Sequence, residues 1–276
     1  LPGGWADEIQ GTIDLSLTTG GPLHDRSAWT LDWQTDFSKV VLAEGELAAQ
    51  VQRLKGTFVH RLPARPGQED APPRERLIGL GDPHFTPLSE ISGWLRAAVV
   101  STEDAGFFGH SGFEVTELKE AMLENLRDGE GRGGSTITQQ LAKNLFLSGE
   151  RTLARKLREA VIAWRLEEEL GKSRILEIYL NIAEWGPGLY GIRDAADHYF
   201  ARTPAVLTPE EGAFIASLLP APIRFHGYYH GGRGLTDKRQ ERVQQILATM
   251  HRLGSLDDVE YARAAGEVVQ LAPCPF

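Results

Sequence analysis

Residues 132–159 constrain the fold of this chain more than any other stretch, because they gather glycine, amide and charged residues at helical spacing. The glycine pair at 133–134 gives a flexible approach, and either Ser135 or Thr136 after it is a natural helix N-cap. Residues 138–147 then continue with good helix formers. The stretch therefore predicts a helix that begins just after the glycines.

One face of this first helix is polar. Gln140, Lys143 and Asn144 lie at positions i, i+3 and i+4, so two amides and an ammonium share that face. These groups donate hydrogen bonds, and the face is predicted to hold an oxyanion.

A second helix is predicted from about Thr152, with Arg155, Lys156 and Glu159 on its polar side. Its apolar stripe is predicted to consist of Leu153, Leu157, Val161 and Trp164. Residues 132–165 contain seven basic and two acidic residues, a local charge of +5 in a chain whose net charge is −9. This favours a site for phosphate or pyrophosphate over a diffuse nucleic-acid surface. From charge alone, two ordinary helices with solvated side chains explain the pattern equally well.

Composition sets the outer limits. The 276 residues, 41% hydrophobic and 24% charged, suit one large or two smaller globular domains and exclude a wholly disordered chain. The single cysteine, Cys274, excludes an intramolecular disulfide and a cysteine-based metal cluster. The sequence has no run of 18 apolar residues and begins with leucine, so we expect a soluble or peripheral protein that is a fragment or a mature form.

The pattern of the chain changes at a segment rich in proline, glycine and charged residues, 63–76, which is predicted to be a linker. Residues 1–62 alternate apolar and polar side chains and predict a β-rich segment, with 50–60 ambiguous between helix and strand. Residues 77–276 are predicted to form a mainly helical domain. Beyond the two helices above, its candidate helices are 87–108, 114–128, 172–183, 192–200, 208–219 and 237–251.

Two adjacent carboxylates, Glu103 and Asp104, end an apolar run and are followed by Phe107, Phe108 and His110. A carboxylate beside apolar aromatics has a raised pKa, which suits it to accept a proton from a sugar hydroxyl. Taken alone, such a pair is more often a solvated turn. We expect His110 to orient this loop rather than to act as a base.

Together with these carboxylates and the two polar helices, three downstream segments resemble, in order and spacing, the family 51 peptidoglycan glycosyltransferases. The downstream segments are Ile-Leu-Glu177-Ile-Tyr179-Leu-Asn181, Gly-Pro-Gly188-Leu-Tyr-Gly191 and Leu-Thr-Pro-Glu-Glu211-Gly-Ala. The resemblance covers about half of the chain, from Pro87 to Pro222. Phe113-Glu114 and Ala105-Gly106 depart from the family pattern without removing a catalytic group.

The resemblance implies a mainly α, lysozyme-like domain over residues 77–276 that polymerises lipid II into glycan strands. It implies a location on the outer face of the cytoplasmic membrane, in the periplasm, with an anchoring segment outside this chain. The implied partners are lipid II, the growing glycan strand, the membrane surface and other cell-wall synthesis proteins, and not nucleic acid. Residues 1–60 resemble, more weakly, the end of an AsmA-like extracytoplasmic domain.

The resemblance also implies roles for single residues. Glu103 would be the general base, and Lys156 and Glu159 would act at the pyrophosphate with Gln140 and Lys143. The remaining residues implied to bind substrate are Asp104, Ser135, Thr136, Asn144 and Arg155. A divalent cation, Mg²⁺ or Mn²⁺, would assist at the pyrophosphate near Glu159. Two alternatives stay open: a lytic transglycosylase or muramidase, and a catalytically retired module that binds lipid II.

Several other residues admit a second interpretation. His226 and His230 have a spacing that suits zinc only on a helix, and a solvated or substrate-lining loop is the preferred interpretation. Trp185 would either stack on a sugar or pack, and 167–169 is expected to be a solvated acidic face. The side chains expected to touch a membrane surface are Phe107, Phe108, Phe113 and Met122.

Overall fold

The computed structural model of the chain describes residues 9–10, 14–22, 24, 30–36, 41–42, 44–63, 74–112, 135–147, 153–223, 229–230 and 234–272. The chain divides into two units. Unit 1 contains residues 1–55 and 108–171, and unit 2 contains residues 56–107 and 172–276.

Helices make up most of the described chain. They are α1 (Glu46–Arg53), α2 (Gly93–Glu103), α3 (Ile137–Phe146), α4 (Leu153–Ile182), α5 (Ile192–Phe200), α6 (Pro209–Ala216), α7 (Asp237–Arg252) and α8 (Asp258–Gly266). Short 3-10 turns cover Leu88–Glu90 and Pro204–Val206.

The described strands form two-stranded antiparallel pairs, β1 with β4, β2 with β3, β5 with β6, β7 with β8 and β9 with β10. They are β1 (Ile9–Gln10), β2 (Asp14–Gly20), β3 (Thr30–Asp36), β4 (Val41–Leu42), β5 (Phe58–Leu62), β6 (Arg74–Ile78), β7 (Glu184–Gly186), β8 (Leu189–Tyr190), β9 (Tyr229–His230) and β10 (Gly234–Leu235). The predicted mainly helical fold with a small β-rich N-terminal segment is confirmed.

Helix α4 is interrupted at Gly171, where φ is 71° and ψ is 163°. Glycine takes a positive φ without the steric cost that a Cβ atom imposes. The division between the two units falls at this residue, since Lys172 is the first residue of the second segment of unit 2.

The buried face of α4 in unit 1 starts with a carboxylate. Glu159, Ile162, Ala163 and Leu166 are buried, at helical positions i, i+3, i+4 and i+7. The predicted apolar stripe was wrong in its described part, because Val161 and Trp164 are only half-buried. The pattern of apolar residues misplaced the face because it treats every carboxylate as solvated.

The core of unit 2 is built where α2 crosses α6 and α7. Leu95 and Val99 of α2 are fully buried, as are Phe214 of α6 and Leu247 of α7, and burying each such side chain stabilises the fold by about 1.5 to 3 kcal/mol. A Cβ atom on Gly212 of α6 would lie 3.0 Å from the Leu95 Cα atom. The two helices therefore approach at a glycine.

Most predicted helices of unit 2 are confirmed: α2 lies within 87–108, α5 matches 192–200, and α7 matches 237–251 to within a residue. Helix α8 was not predicted. The ambiguous stretch 50–60 contains the end of α1 and the start of β5.

Two sequence predictions concern residues that the structure does not describe. The predicted helix 114–128 and the side chains of His226 and His230 lie outside the described residues. Of the predicted linker, residues 64–73 lie outside them too, whereas Arg74, Glu75 and Arg76 belong to β6 rather than to a loop. They pair with Leu62, Arg61 and His60, so strand β6 begins within the last residues of the predicted linker. Unit 2 begins at Gly56, before the predicted domain boundary.

Candidate functional site

The start of α3 is fixed by a capping box. The Gln139 backbone N–H donates to Thr136 Oγ1 at 3.1 Å, and the Thr136 N–H donates to Gln139 Oε1 at 2.9 Å. The Thr136 hydroxyl also donates to the Gly112 carbonyl at 2.6 Å. Thr136 is therefore the N-cap, and its buried hydroxyl is committed to holding the helix.

Ser135, the other candidate cap, belongs to a different group. Its Oγ accepts a hydrogen bond from Lys156 Nζ at 2.7 Å. Lys156 Nζ also lies 2.6 Å from Glu159 Oε1, while Arg155 Nη1 lies 2.7 Å from Glu159 Oε2. We call these four residues, Ser135, Arg155, Lys156 and Glu159, the basic cluster.

Glu159 organises the basic cluster. Its side chain is 3% exposed, against 20% for Arg155 and 17% for Lys156. A buried carboxylate is stable only when its charge is compensated, and here each oxygen meets a cation. The two cations outnumber the one carboxylate, so the basic cluster keeps a net positive charge and suits an anionic ligand.

Helix α3 extends the basic cluster. Gln140 Nε2 donates to the Ser135 carbonyl at 3.3 Å, which ties Gln140 to the residue that accepts from Lys156. Lys143 and Asn144 lie one turn further along α3, and both side chains are exposed. The structure thus brings Gln140 to the basic cluster and leaves Lys143 and Asn144 facing solvent.

The two predicted carboxylates lie in unit 2. Glu103 is the last residue of α2 and is half-buried, and Asp104 caps the helix, 9% exposed. The Asp104 carbonyl accepts from the Phe107 N–H at 3.0 Å, which closes a turn directly after the pair. Phe107 is fully buried, and Lys172 Nζ lies 4.5 Å from the centroid of its ring.

The charges of Glu103 and Asp104 affect the pKa of Tyr179 in α4. Its side chain is 1% exposed. Burial, followed by the negative charges of Glu103 and Asp104, raises the pKa of the Tyr179 phenol well above its usual value. A neutral phenol therefore lies within electrostatic reach of both carboxylates.

The segment after Phe107 is held by its own backbone and by α4. The Gly112 N–H donates to His110 Nδ1 at 3.0 Å, so a neutral His110 ring carries its proton on Nε2. Gly112 has a φ of 93°, and a Cβ atom there would lie 2.8 Å from the Ala163 carbonyl oxygen. This geometry fits the interpretation of His110 as a residue that orients the loop.

Three side chains of the downstream segments, two carboxylates and one amide, form hydrogen bonds with backbone groups. Asn181 accepts from the Thr86 N–H and donates to the Thr86 carbonyl, both at 2.8 Å. Glu177 accepts from the Leu88 N–H at 2.8 Å, and Glu211 completes the capping box of α6. They position loops of unit 2.

Arg76, which sequence reasoning missed, holds the turn that contains Gly188. Its Nη1 donates to the Tyr190 carbonyl, and its Nη2 lies 2.7 Å from Asp194 Oδ2. Asp194 Oδ1 lies 2.7 Å from His84 Nδ1. At Gly191 φ is 83°, and a Cβ atom would lie 2.8 Å from both the Arg76 guanidinium and the Asn181 carbonyl oxygen, so glycine is required there.

Other sequence expectations were settled by burial. Trp185 is fully buried, so it packs and does not stack on a ligand. The expected solvated face at 167–169 was wrong at two positions, because Glu167 accepts from the Thr138 hydroxyl and Glu169 lies 2.9 Å from Lys55 Nζ. Burial also removes Phe107 from any membrane surface, whereas Phe108 is 68% exposed. Phe113 and Met122 lie outside the described residues.

A divalent cation at the pyrophosphate near Glu159 stays a prediction; in the structure Arg155 and Lys156 engage both Glu159 carboxylate oxygens. Over the part of the chain that the structure describes, no group of three or more His, Cys, Asp or Glu side chains is arranged to hold a metal ion. None of the described helices is long and apolar enough to span a membrane.

The chain is similar to several known proteins. The family model described as Transglycosylase matches residues 81–251. A biosynthetic peptidoglycan transglycosylase of Ralstonia nicotianae is 54% identical over 159 residues, which are 55% of this chain and 68% of that protein. Proteins of the same name from Alcanivorax borkumensis and Nitrosomonas eutropha are 48% and 51% identical, covering 58% and 51% of this chain and 64% and 58% of their own lengths. Penicillin-Binding Protein 1A from Haemophilus influenzae matches with 28% identity and a TM-score of 0.33, over 49% of this chain and 16% of that one.

Proposed function

Because this chain belongs to the Transglycosylase family, we propose that it polymerises lipid II into β-1,4-linked glycan strands with release of undecaprenyl pyrophosphate. The observation that carries the proposal is the basic cluster, a lysine and an arginine held on a buried carboxylate beside a serine hydroxyl. Such a cluster suits a leaving group that carries several negative oxygens.

The proposed reaction begins with a proton transfer. Glu103 accepts the proton of the 4-hydroxyl of one sugar, and that oxygen bonds to the anomeric carbon of the next sugar. The bond from the anomeric carbon to the pyrophosphate breaks, and the pyrophosphate leaves with the electron pair. Glu103 is half-buried and Asp104 is 9% exposed, so both carboxylates are partly withdrawn from water.

The proposed task of the basic cluster is charge neutralisation at the leaving group. Lys156 and Arg155 are fixed by Glu159, so they need little reorganisation when negative charge develops on the pyrophosphate. Lys143 is exposed and supplies a further cation from α3. Glu159 is thereby a positioning residue. A divalent cation enters the proposal only as a counterion of the pyrophosphate itself.

This reaction implies a periplasmic site of action at the outer face of the cytoplasmic membrane, where lipid II and the growing strand would be the partners. The alternatives differ in product. A lytic transglycosylase would release fragments from sacculi, and a retired module would bind lipid II without turnover.

The deciding experiment incubates the protein with labelled lipid II, detergent and Mg²⁺ and resolves the products by size. We expect glycan ladders from the native chain and none from Glu103→Gln. Glu90→Gln, which changes an exposed carboxylate in the turn before α2, is the matched control and should polymerise normally. Fragments from sacculi without ladders, or lipid II binding without product, would reject the proposal.

A further inference from the structure

A cavity of about 410 Å³ in unit 2 lies between the end of α6 and the first turns of α7. Its walls are formed by Ser217, Pro220, Ala221, Lys238, Arg239, Glu241, Arg242 and Gln245. The volume falls in the range of small-molecule sites, about 300 to 1,000 Å³. None of these residues belongs to the basic cluster or to the carboxylate pair.

The floor of the cavity is a fixed arginine. Arg239 is 8% exposed, and its Nη1 donates to the Ser217 carbonyl at 2.7 Å and to Ser217 Oγ at 2.9 Å. The Ser217 hydroxyl in turn donates to the Phe214 carbonyl at 2.6 Å. This chain of bonds holds the guanidinium in one orientation beneath the cavity.

The rim adds positive charge. Lys238 and Arg242 are exposed at the opening, and Glu241 is the single carboxylate of the lining. Three cations against one carboxylate leave a local charge of +2 in a chain whose net charge is −9. The cations lie near the positive end of the α7 dipole, which they oppose, and Asp237 in the first turn offsets part of that effect.

We propose that this cavity binds a phosphate group. Arginine and lysine are the side chains that recognise phosphate, arginine through its planar fork and lysine as a point charge. A phosphate monoester carries close to two negative charges near neutral pH. It therefore matches the lining charge better than a carboxylate does. Pro220 and Ala221 form an apolar wall that accommodates the organic part of an ester.

The test measures binding of inorganic phosphate, sn-glycerol 1-phosphate and succinate to the whole chain by isothermal titration calorimetry at low ionic strength. We expect both phosphates to bind and succinate to bind more weakly. Tighter binding of glycerol phosphate would indicate a phosphate ester, such as a lipid headgroup, as the ligand, and tighter binding of inorganic phosphate would indicate the free ion. Succinate binding as tight as phosphate would overturn the choice of ligand.

The double variant Lys238→Gln/Arg242→Gln changes only exposed side chains and should weaken phosphate binding by roughly tenfold or more. Arg252→Gln removes an exposed cation at the other end of α7 and is the matched control, with unchanged affinity expected. Equal losses in both variants, or no loss in the double variant, would show that phosphate binds elsewhere or through net charge alone. Because binding is measured without lipid II, failure here leaves the proposed polymerisation untouched.

Discussion

Lys156 and Glu159 form an ion pair of 2.6 Å within one helix, and the Glu159 side chain is only 3% exposed. The lysine proposed to face the leaving group is therefore also a structural partner of a buried charge. Lys143, proposed to act on the same group, is exposed and carries no such duty. Substituting each lysine in turn therefore distinguishes an effect on catalysis from an effect on stability.

Lys143→Ala and Lys156→Ala should each lower the rate of polymerisation, by about 2 to 4 kcal/mol in transition-state free energy if they act as other electrostatic donors do. Only Lys156→Ala should also lower the melting temperature, since it leaves the Glu159 carboxylate with one cation fewer. Rates and thermal melts on the same preparations check both parts. Unchanged rates in both variants would remove the pyrophosphate role.

Glu103→Gln should abolish polymerisation while leaving lipid II binding and the melting temperature intact, because the amide keeps the shape of the side chain and cannot accept a proton. The raised pKa predicted for Glu103 stays a prediction, and the rate of the native protein against pH measures it. Polymerisation by Glu103→Gln at near the native rate would contradict the assignment of the base.

Glu159→Gln should lower the free energy of unfolding by about 1 to 3 kcal/mol, because one of the two cations loses its acceptor oxygen and both lose the compensating negative charge. We expect a reduced rate that is restored in part by added Mg²⁺, since the ion then neutralises the pyrophosphate in place of the loosened cations. Rates across an Mg²⁺ titration, with and without EDTA, decide this. A variant that is inactive at every Mg²⁺ concentration would place Glu159 closer to the chemistry.

His60 should make folding stability depend on pH in a narrow window. Burial, helped by the positive charge of Arg76 opposite it on β6, lowers the pKa of His60 to about 4. Between about pH 6.5 and 4, His60 binds a proton in the unfolded chain but stays neutral in the folded chain. The free energy of unfolding therefore falls as pH falls, by less than about 1.4 kcal/mol per pH unit. In His60→Gln, the free energy of unfolding measured by urea melts should depend less steeply on pH across this window. An unchanged slope would argue against a neutral His60.

The adjacent Phe107 and Phe108 should behave in opposite ways. Phe107→Ala empties a fully buried position and should cost about 3 to 5 kcal/mol of stability. Phe108→Ala should leave stability unchanged and lower partitioning onto bilayers that contain lipid II, because its exposed ring is the apolar contact offered there. Vesicle sedimentation and urea melts measure the two effects. Since the net charge is −9, tight binding to anionic vesicles without lipid II would contradict this account.

The family and the activity class it carries, a glycosyltransferase, were predicted correctly from the motifs, and the local structure of the site was predicted well because it depends on neighbours in sequence. The cap at Thr136, the start of α4 and the spacing of Arg155 and Glu159 all follow from contacts within a few residues.

The features that the sequence did not reveal depend on contacts between residues far apart in the chain. Arg76 meets Asp194 across 118 positions, and no local pattern marks either residue as a partner. The burial of Glu159 follows from what packs over it, and so does the packing of Trp185, which the sequence left open against stacking. A pattern of apolar residues gives the period of a helix but not the side chain that compensates a buried charge.

Arg76 has a consequence for where this enzyme begins. The match to the family model starts at residue 81, yet the guanidinium that binds the Tyr190 carbonyl and Asp194 comes from a strand before it. That strand is itself paired along its length with Phe58–Leu62. A shortened chain starting at residue 81 would retain all the matched residues but lose the Arg76 side chain that holds the Gly188 turn. The smallest autonomous piece of this protein should accordingly be sought from upstream of Phe58, by limited proteolysis rather than by similarity.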